Sequence, residues 1–138
     1  MDFKKLQLIF YALVGGQLLF AGVVFFMLQQ QQEFADIPYF SILVPAAVLS
    51  GAFLGYYLNN QLRVSAAEQQ TEEDQLLHYR RRVILRLALT EGGNIIALVG
   101  ALLTDNTTFF LFFALGMAIF FYFRPSLVEM ANDYPPLK

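Results

Sequence analysis

Arg80-Arg81-Arg82-Val83-Ile84-Leu85-Arg86-Leu87-Ala88-Leu89-Thr90-Glu91-Gly92-Gly93-Asn94-Ile95-Ile96-Ala97-Leu98-Val99-Gly100-Ala101-Leu102-Leu103 decides the fold. A basic triplet opens an apolar run, and residues 83–103 match the roughly 20 apolar residues that carry a helix across a bilayer core. Three more runs accompany it, at 6–28, 39–58 and 109–123. The last is shorter and spans only where the bilayer is thin or its polar flanks reach outward. The nine Lys and Arg residues fall unevenly between the runs. Lys4 and Lys5 precede the first. Arg63 and Arg80–Arg82 lie between the second and third, with Arg86 just inside the third. Arg124 and Lys138 follow the fourth. The connections around Gln29–Pro38 and Thr104–Thr108 carry none. That is the positive-inside pattern of four crossings with both ends in the cytoplasm.

The expected fold is therefore all-α: a four-helix transmembrane bundle, N-in and C-in, made of two antiparallel helical hairpins. Composition agrees, with 57% hydrophobic and 14% charged residues and a mean hydropathy of +0.52. One transmembrane domain takes up residues 1–138, with a cytoplasmic connection at 59–82 and a cytoplasmic tail at 124–138. The first apolar run resembles a signal peptide in its basic start, but it is long and is followed by Gln29–Gln32 without a small-residue cleavage site, so it reads as a retained helix. Pro38 suits a helix start, and Pro45 lies about two turns inside the second helix. The connection holds good helix formers without Gly or Pro, so the second and third helices should extend beyond the apolar spans. Thr104–Thr107 reads as a tight turn. The tail, with Pro125, Pro135 and Pro136, reads as irregular.

Glu91 needs an explanation. It lies nine residues past Arg82, about 13 Å into the bilayer at 1.5 Å per residue. A charge there costs on the order of 3 kcal/mol. Donors exist at matching depth. Asn94 is one turn on, Gln17 lies as far from Lys5 as Asn94 does from Arg82, and Ser50 lies as far from Asn59 as Glu91 does from Arg82. Gln17, Ser50, Glu91 and Asn94 are thus expected to form one intramembrane polar layer. Glu91 reads first as a structural anchor fixing helix register, and second as a proton or cation carrier. Arg86 reads first as a long side chain that snorkels back to the basic edge, and second as a charge partner for a neighbouring helix or subunit. Ala47, Gly51 and Gly55 on the second helix and Gly93, Ala97 and Ala101 on the third form small-residue ladders, for packing inside the bundle or between copies. Gly15-Gly16-Gln17 and Gly92-Gly93-Asn94 hint at a parallel duplication of the two hairpins.

Other chemistry has little footing. There is no cysteine, and the lone His78 in the polar connection reads as a solvated residue without companions at metal-ligand spacing. The glycines lie inside apolar helices rather than in a phosphate-binding loop. No catalytic residues, metal or cofactor are expected. Topology accounts for the basic residues without nucleic acid.

Arg82–Glu91, continuing through Ile95–Leu103, resembles the carboxylate-bearing helix of rotary ATPase proteolipid (c-type) subunits: a basic edge, an Ala-Leu step, a buried glutamate, then an apolar run. The resemblance implies a Glu91 that takes up and releases a proton or sodium ion at a subunit interface. It covers residues 82–103 alone. The second helix has only Gly51 and Gly55 where that family's partner helix is glycine-rich, and the connection is long. The function expected from the whole chain is non-enzymatic: an oligomer, or an accessory subunit of a larger membrane complex, in the inner (plasma) membrane. Its partners are the lipid bilayer and itself or other membrane subunits. Proton or cation translocation by Glu91 is the alternative.

Overall fold

The computed structural model describes residues 3–29, 39–104 and 108–136. Among them every regular element is helical: α1 (Phe3–Gln29), α2 (Phe40–Arg63), a 3₁₀ turn (Val64–Glu68), α3 (Glu72–Thr104), α4 (Thr108–Tyr122) and α5 (Leu127–Asp133). The expected polar loop at 30–38, the helix start at Pro38 and most of the tight turn at 104–107 lie outside the described residues.

α3 and α5 begin for local reasons. The Thr71 hydroxyl accepts from the Asp74 N–H at 3.0 Å, and Glu72, Glu73 and Asp74 set acidic charge in the first turn of α3, where the helix dipole favours it. Ser126 caps α5 by accepting from the Glu129 N–H. As expected, α2 and α3 run beyond the apolar spans. Pro45 stays within α2.

Burial follows the helical repeat. In α1 the buried positions are Leu6, Phe10, Val14, Gln17 and Val24, a single stripe. In α2 they are Val44, Val48, Gly51, Ala52, Gly55 and Asn59. α3 is buried around much of its circumference, because α1, α2 and α4 all pack on it. α1 also meets α4 through stacked Phe10 and Phe120, with ring centroids 5.3 Å apart.

Contact between α2 and α3 is close enough to exclude side chains. A Cβ at Gly51 would stand 2.5 Å from the Leu89 carbonyl oxygen, and one at Gly93 would stand 2.7 Å from that of Ala47. Gly55 likewise faces the Arg86 backbone, while Ala97 and Ala101 are fully buried. Both small-residue ladders therefore lie on inward faces of this one chain.

The outer surface is apolar, with Leu19, Ile42 and Leu111 among many large exposed side chains. α1, α2 with its 3₁₀ extension, and α3 are each long and apolar enough to cross a membrane. α4 and α5 make a fourth candidate only if taken together, and they are bent by 58°. The expected irregular tail is corrected here: Ser126 and Glu129 start a helix, and Tyr134 N–H closes it on the Met130 carbonyl.

Candidate functional site

Arg82 and Arg86 lie one turn apart on α3, and Glu129 and Asp133 lie one turn apart on α5. Arg86 faces Glu129 and Arg82 faces Asp133, so α5 runs antiparallel to α3 and the four side chains form a clasp. Arg86 is 2% exposed and uses both ends of its guanidinium. Its Nη2 donates to Glu129 Oε1 at 2.9 Å and Nη1 to Oε2 at 3.1 Å, the bidentate fork that suits arginine. Nε donates to the Phe123 carbonyl at 2.9 Å and Nη2 to that of Arg124 at 3.1 Å. Arg86 thus also satisfies carbonyls just beyond the end of α4, where a cation suits the helix dipole.

Arg82 is fully buried. Its Nη2 donates to Asp133 Oδ2 at 2.8 Å and its Nε to Asn59 Oδ1 at 3.2 Å. The same Asn59 oxygen accepts from Arg86 Nη1 at 3.2 Å, which ties α2 into the clasp. The Arg82 guanidinium also lies over the rings of Tyr79 and Tyr134, 5.6 and 5.8 Å from their centroids. Arg82 Nη1 is buried and has no hydrogen-bond partner among the described residues.

A second tier fixes the tail along α3. The Tyr79 hydroxyl donates to Glu129 Oε1 at 2.7 Å and accepts from the Ser126 N–H at 2.9 Å. His78 Nδ1 is 2.5 Å from the Tyr134 hydroxyl, and its Nε2 is 2.9 Å from Ser65 Oγ. Gln75 Nε2 donates to the Pro135 carbonyl at 3.0 Å. These groups lie outside the apolar spans at 83–103 and 109–123. Burial alone would push the Glu129 carboxyl up, but the Arg86 hydrogen bonds and charge, helped by Tyr79, hold it below the usual carboxylate range. Burial, then the charges of Arg82 and Arg81, hold the His78 imidazole below its ordinary value against a weaker pull from Glu68.

Two expectations are corrected by this cluster. His78 is buried between α3, the 3₁₀ turn and the tail, not solvated. Arg86 does not snorkel, because the folded-back tail supplies its counter-charge. The clasp members Asn59, Tyr79, Glu129, Asp133 and Tyr134 went unread in the sequence. Two signals could have found them: the Ser126-x-x-Glu129 capping box, and the shared four-residue spacing of the arginine and carboxylate pairs.

A cavity of about 510 Å³ opens beside the clasp, between α2, α3 and the α4–α5 corner. Arg63, Arg82, Arg86 and Arg124 line it together with Glu129 and Asp133.

Deeper in the bundle, Asn94 Nδ2 donates to Gln17 Oε1 at 2.8 Å, joining α3 to α1. Both side chains are buried. Gly116 of α4 gives the Asn94 amide its room, since a Cβ at 116 would overlap Asn94 Oδ1. The other two members of the expected layer stand apart. Ser50 is exposed and donates to the Ala47 carbonyl within its own helix, so it is not brought to Gln17 and Asn94. Glu91 is half-buried and has no hydrogen bond or ion pair among the described residues. Next to it Gly92 is exposed, and a Cβ there would meet nothing within 4 Å.

Comparison with protein-family models, with curated proteins and with solved structures found no match. The likeness of residues 82–103 to proteolipid subunits is a likeness of one helix.

Proposed function

We propose that this chain is a small multi-pass protein of the inner (plasma) membrane, with both ends cytoplasmic. It acts without catalysis, by joining a second copy or another membrane subunit through the α3 face that carries Glu91. The observation that carries this reading is Glu91 itself. It lies about 13 Å beyond Arg82, is partly exposed, and has no partner among the described residues. A carboxyl facing hydrocarbon at that depth costs on the order of 3 kcal/mol. A donor on an adjoining helix removes much of that penalty. Exposed Ala88 and Gly92 lie one helical turn apart beside it, so a neighbouring backbone can approach closely.

The test uses a photoreactive amino acid at position 92, illuminated in native membranes before mild detergent extraction. The reading expects a protein adduct of defined size that is lost when Glu91→Leu is added. Adducts with lipid alone, from a chain that runs as a monomer, would reject it. The topology is tested by single cysteines, clean here because the chain has none. A label at Gln30 should react from the opposite side to one at Arg80.

Proton or cation translocation by Glu91 draws on the same exposed carboxyl. It has less support, because Gln17 and Asn94 are engaged with each other and Ser50 with its own helix. In liposomes under an imposed proton gradient, translocation expects flux that Glu91→Gln abolishes. Vesicles as tight as empty ones would dismiss it.

A further inference from the structure

The cavity beside the clasp has more positive charge than the clasp uses. Its wall carries four arginines and two carboxylates. Both carboxylates are engaged, Glu129 by Arg86 and Asp133 by Arg82. Arg63 and Arg124 are exposed and form no ion pair among the described residues. Arg124 Nη1 reaches only the Phe121 carbonyl at 3.3 Å. Arg82, which also lines the cavity, is fully buried, and its Nη1 amino group has no hydrogen-bond partner among the described residues. A cavity with an excess of guanidinium groups, beside a buried arginine whose hydrogen-bonding capacity is not filled, favours an anion. Guanidinium forks match phosphate oxygens in particular, because two parallel N–H groups meet two oxygens.

We infer that this cavity binds a phosphate-bearing anion, with Arg63 and Arg124 supplying the charge that attracts it. At about 510 Å³ the space exceeds what a bare phosphate fills and admits a phosphate with a polar substituent. Two sources carry that chemistry: the headgroup of an anionic phospholipid, and a soluble phosphate compound. Basic pockets between helices at a membrane edge hold lipid headgroups in the same way.

The experiment compares the wild-type chain with two double variants of equal charge change. Arg63→Gln with Arg124→Gln alters the cavity. Arg80→Gln with Arg81→Gln alters the opposite groove of α3, which Leu77, Ile84 and Ala88 line instead. All four arginines lie outside the clasp, so both proteins should fold. The first arm measures retention of phosphatidylglycerol through purification, by native mass spectrometry. The second arm measures the melting temperature in neutral detergent with inorganic phosphate, against chloride at equal ionic strength. A lipid source predicts retained phosphatidylglycerol that falls by about tenfold or more in the cavity variant and little in the groove variant. A soluble source predicts a phosphate-specific rise in melting temperature that only the cavity variant loses. Equal losses in both variants, or no phosphate-specific effect in either arm, would overturn the inference.

Discussion

Gly92 and Gly93 are neighbours in sequence, yet their replacement by alanine should have opposite effects. A Cβ at 93 would stand 2.7 Å from the Ala47 carbonyl oxygen and 2.9 Å from Val48 Cα. Both are backbone atoms of α2, so the contact is relieved only by moving one helix away from the other. Overpacking of this kind costs about 1–3 kcal/mol. Alanine regains up to about 1 kcal/mol through helix propensity, leaving a net loss of up to about 2 kcal/mol for Gly93→Ala. At 92 there is open space, so Gly92→Ala keeps the gain of about 0.5–1 kcal/mol with no clash. The two variants should therefore differ by roughly 2 kcal/mol, near thirty-fold in the folding equilibrium constant. The assay is reversible unfolding of the monomer in mild detergent, driven by increasing dodecyl sulfate and followed by helical circular dichroism. If Gly93→Ala proved as stable as Gly92→Ala, α2 would not lie against α3 at Ala47 and Val48.

Glu129→Ala should destabilise the monomer by about 1–2 kcal/mol in the same assay. That is less than a fully buried pair would lose, because the carboxylate is 34% exposed and Arg86 keeps the carbonyls of Phe123 and Arg124. Gly116→Ala should press on the Asn94 amide, and a double-mutant cycle with Asn94→Ala should return a coupling of about 0.5–3 kcal/mol; additivity would show that the two do not touch. Stability should fall on acidification. His78 is depressed in the folded chain, so the unfolded chain takes up the proton first, and its contribution is full above the ordinary 6.5 and declines below it. Glu129 is also depressed and adds a second decline below 4.5. His78→Gln should flatten only the upper part of the pH profile and Glu129→Gln only the lower, whereas a level wild-type profile from pH 7.5 to 4 would contradict both.

The long helices were legible because hydrophobic runs of that length have few other structures open to them. Depth along each helix was legible too, since a fixed rise per residue converts spacing into distance. Rotation about the axis was harder. Gln17 and Asn94 were matched by depth and do meet, but Ser50 precedes Gly51, and Gly51 defines the packed face of α2. One residue is about 100° of turn, enough to move a side chain from the interior to the surface. The tail was obscured by its prolines. Pro125, Pro135 and Pro136 flank α5 rather than interrupt it, and nothing in the sequence marks Glu129 and Asp133 as counter-ions before the two buried arginines they pair with are located.

Glu129 follows Arg86 by 43 residues in the chain. A ribosome adding about 5–20 residues per second delivers that carboxylate some two to nine seconds after the arginine. For that interval the Arg86 guanidinium of the nascent third helix lacks the carboxylate it pairs with in the folded chain. The clasp on Arg86 can therefore close only after α5 has been synthesised, so its formation follows the order in which the chain is made.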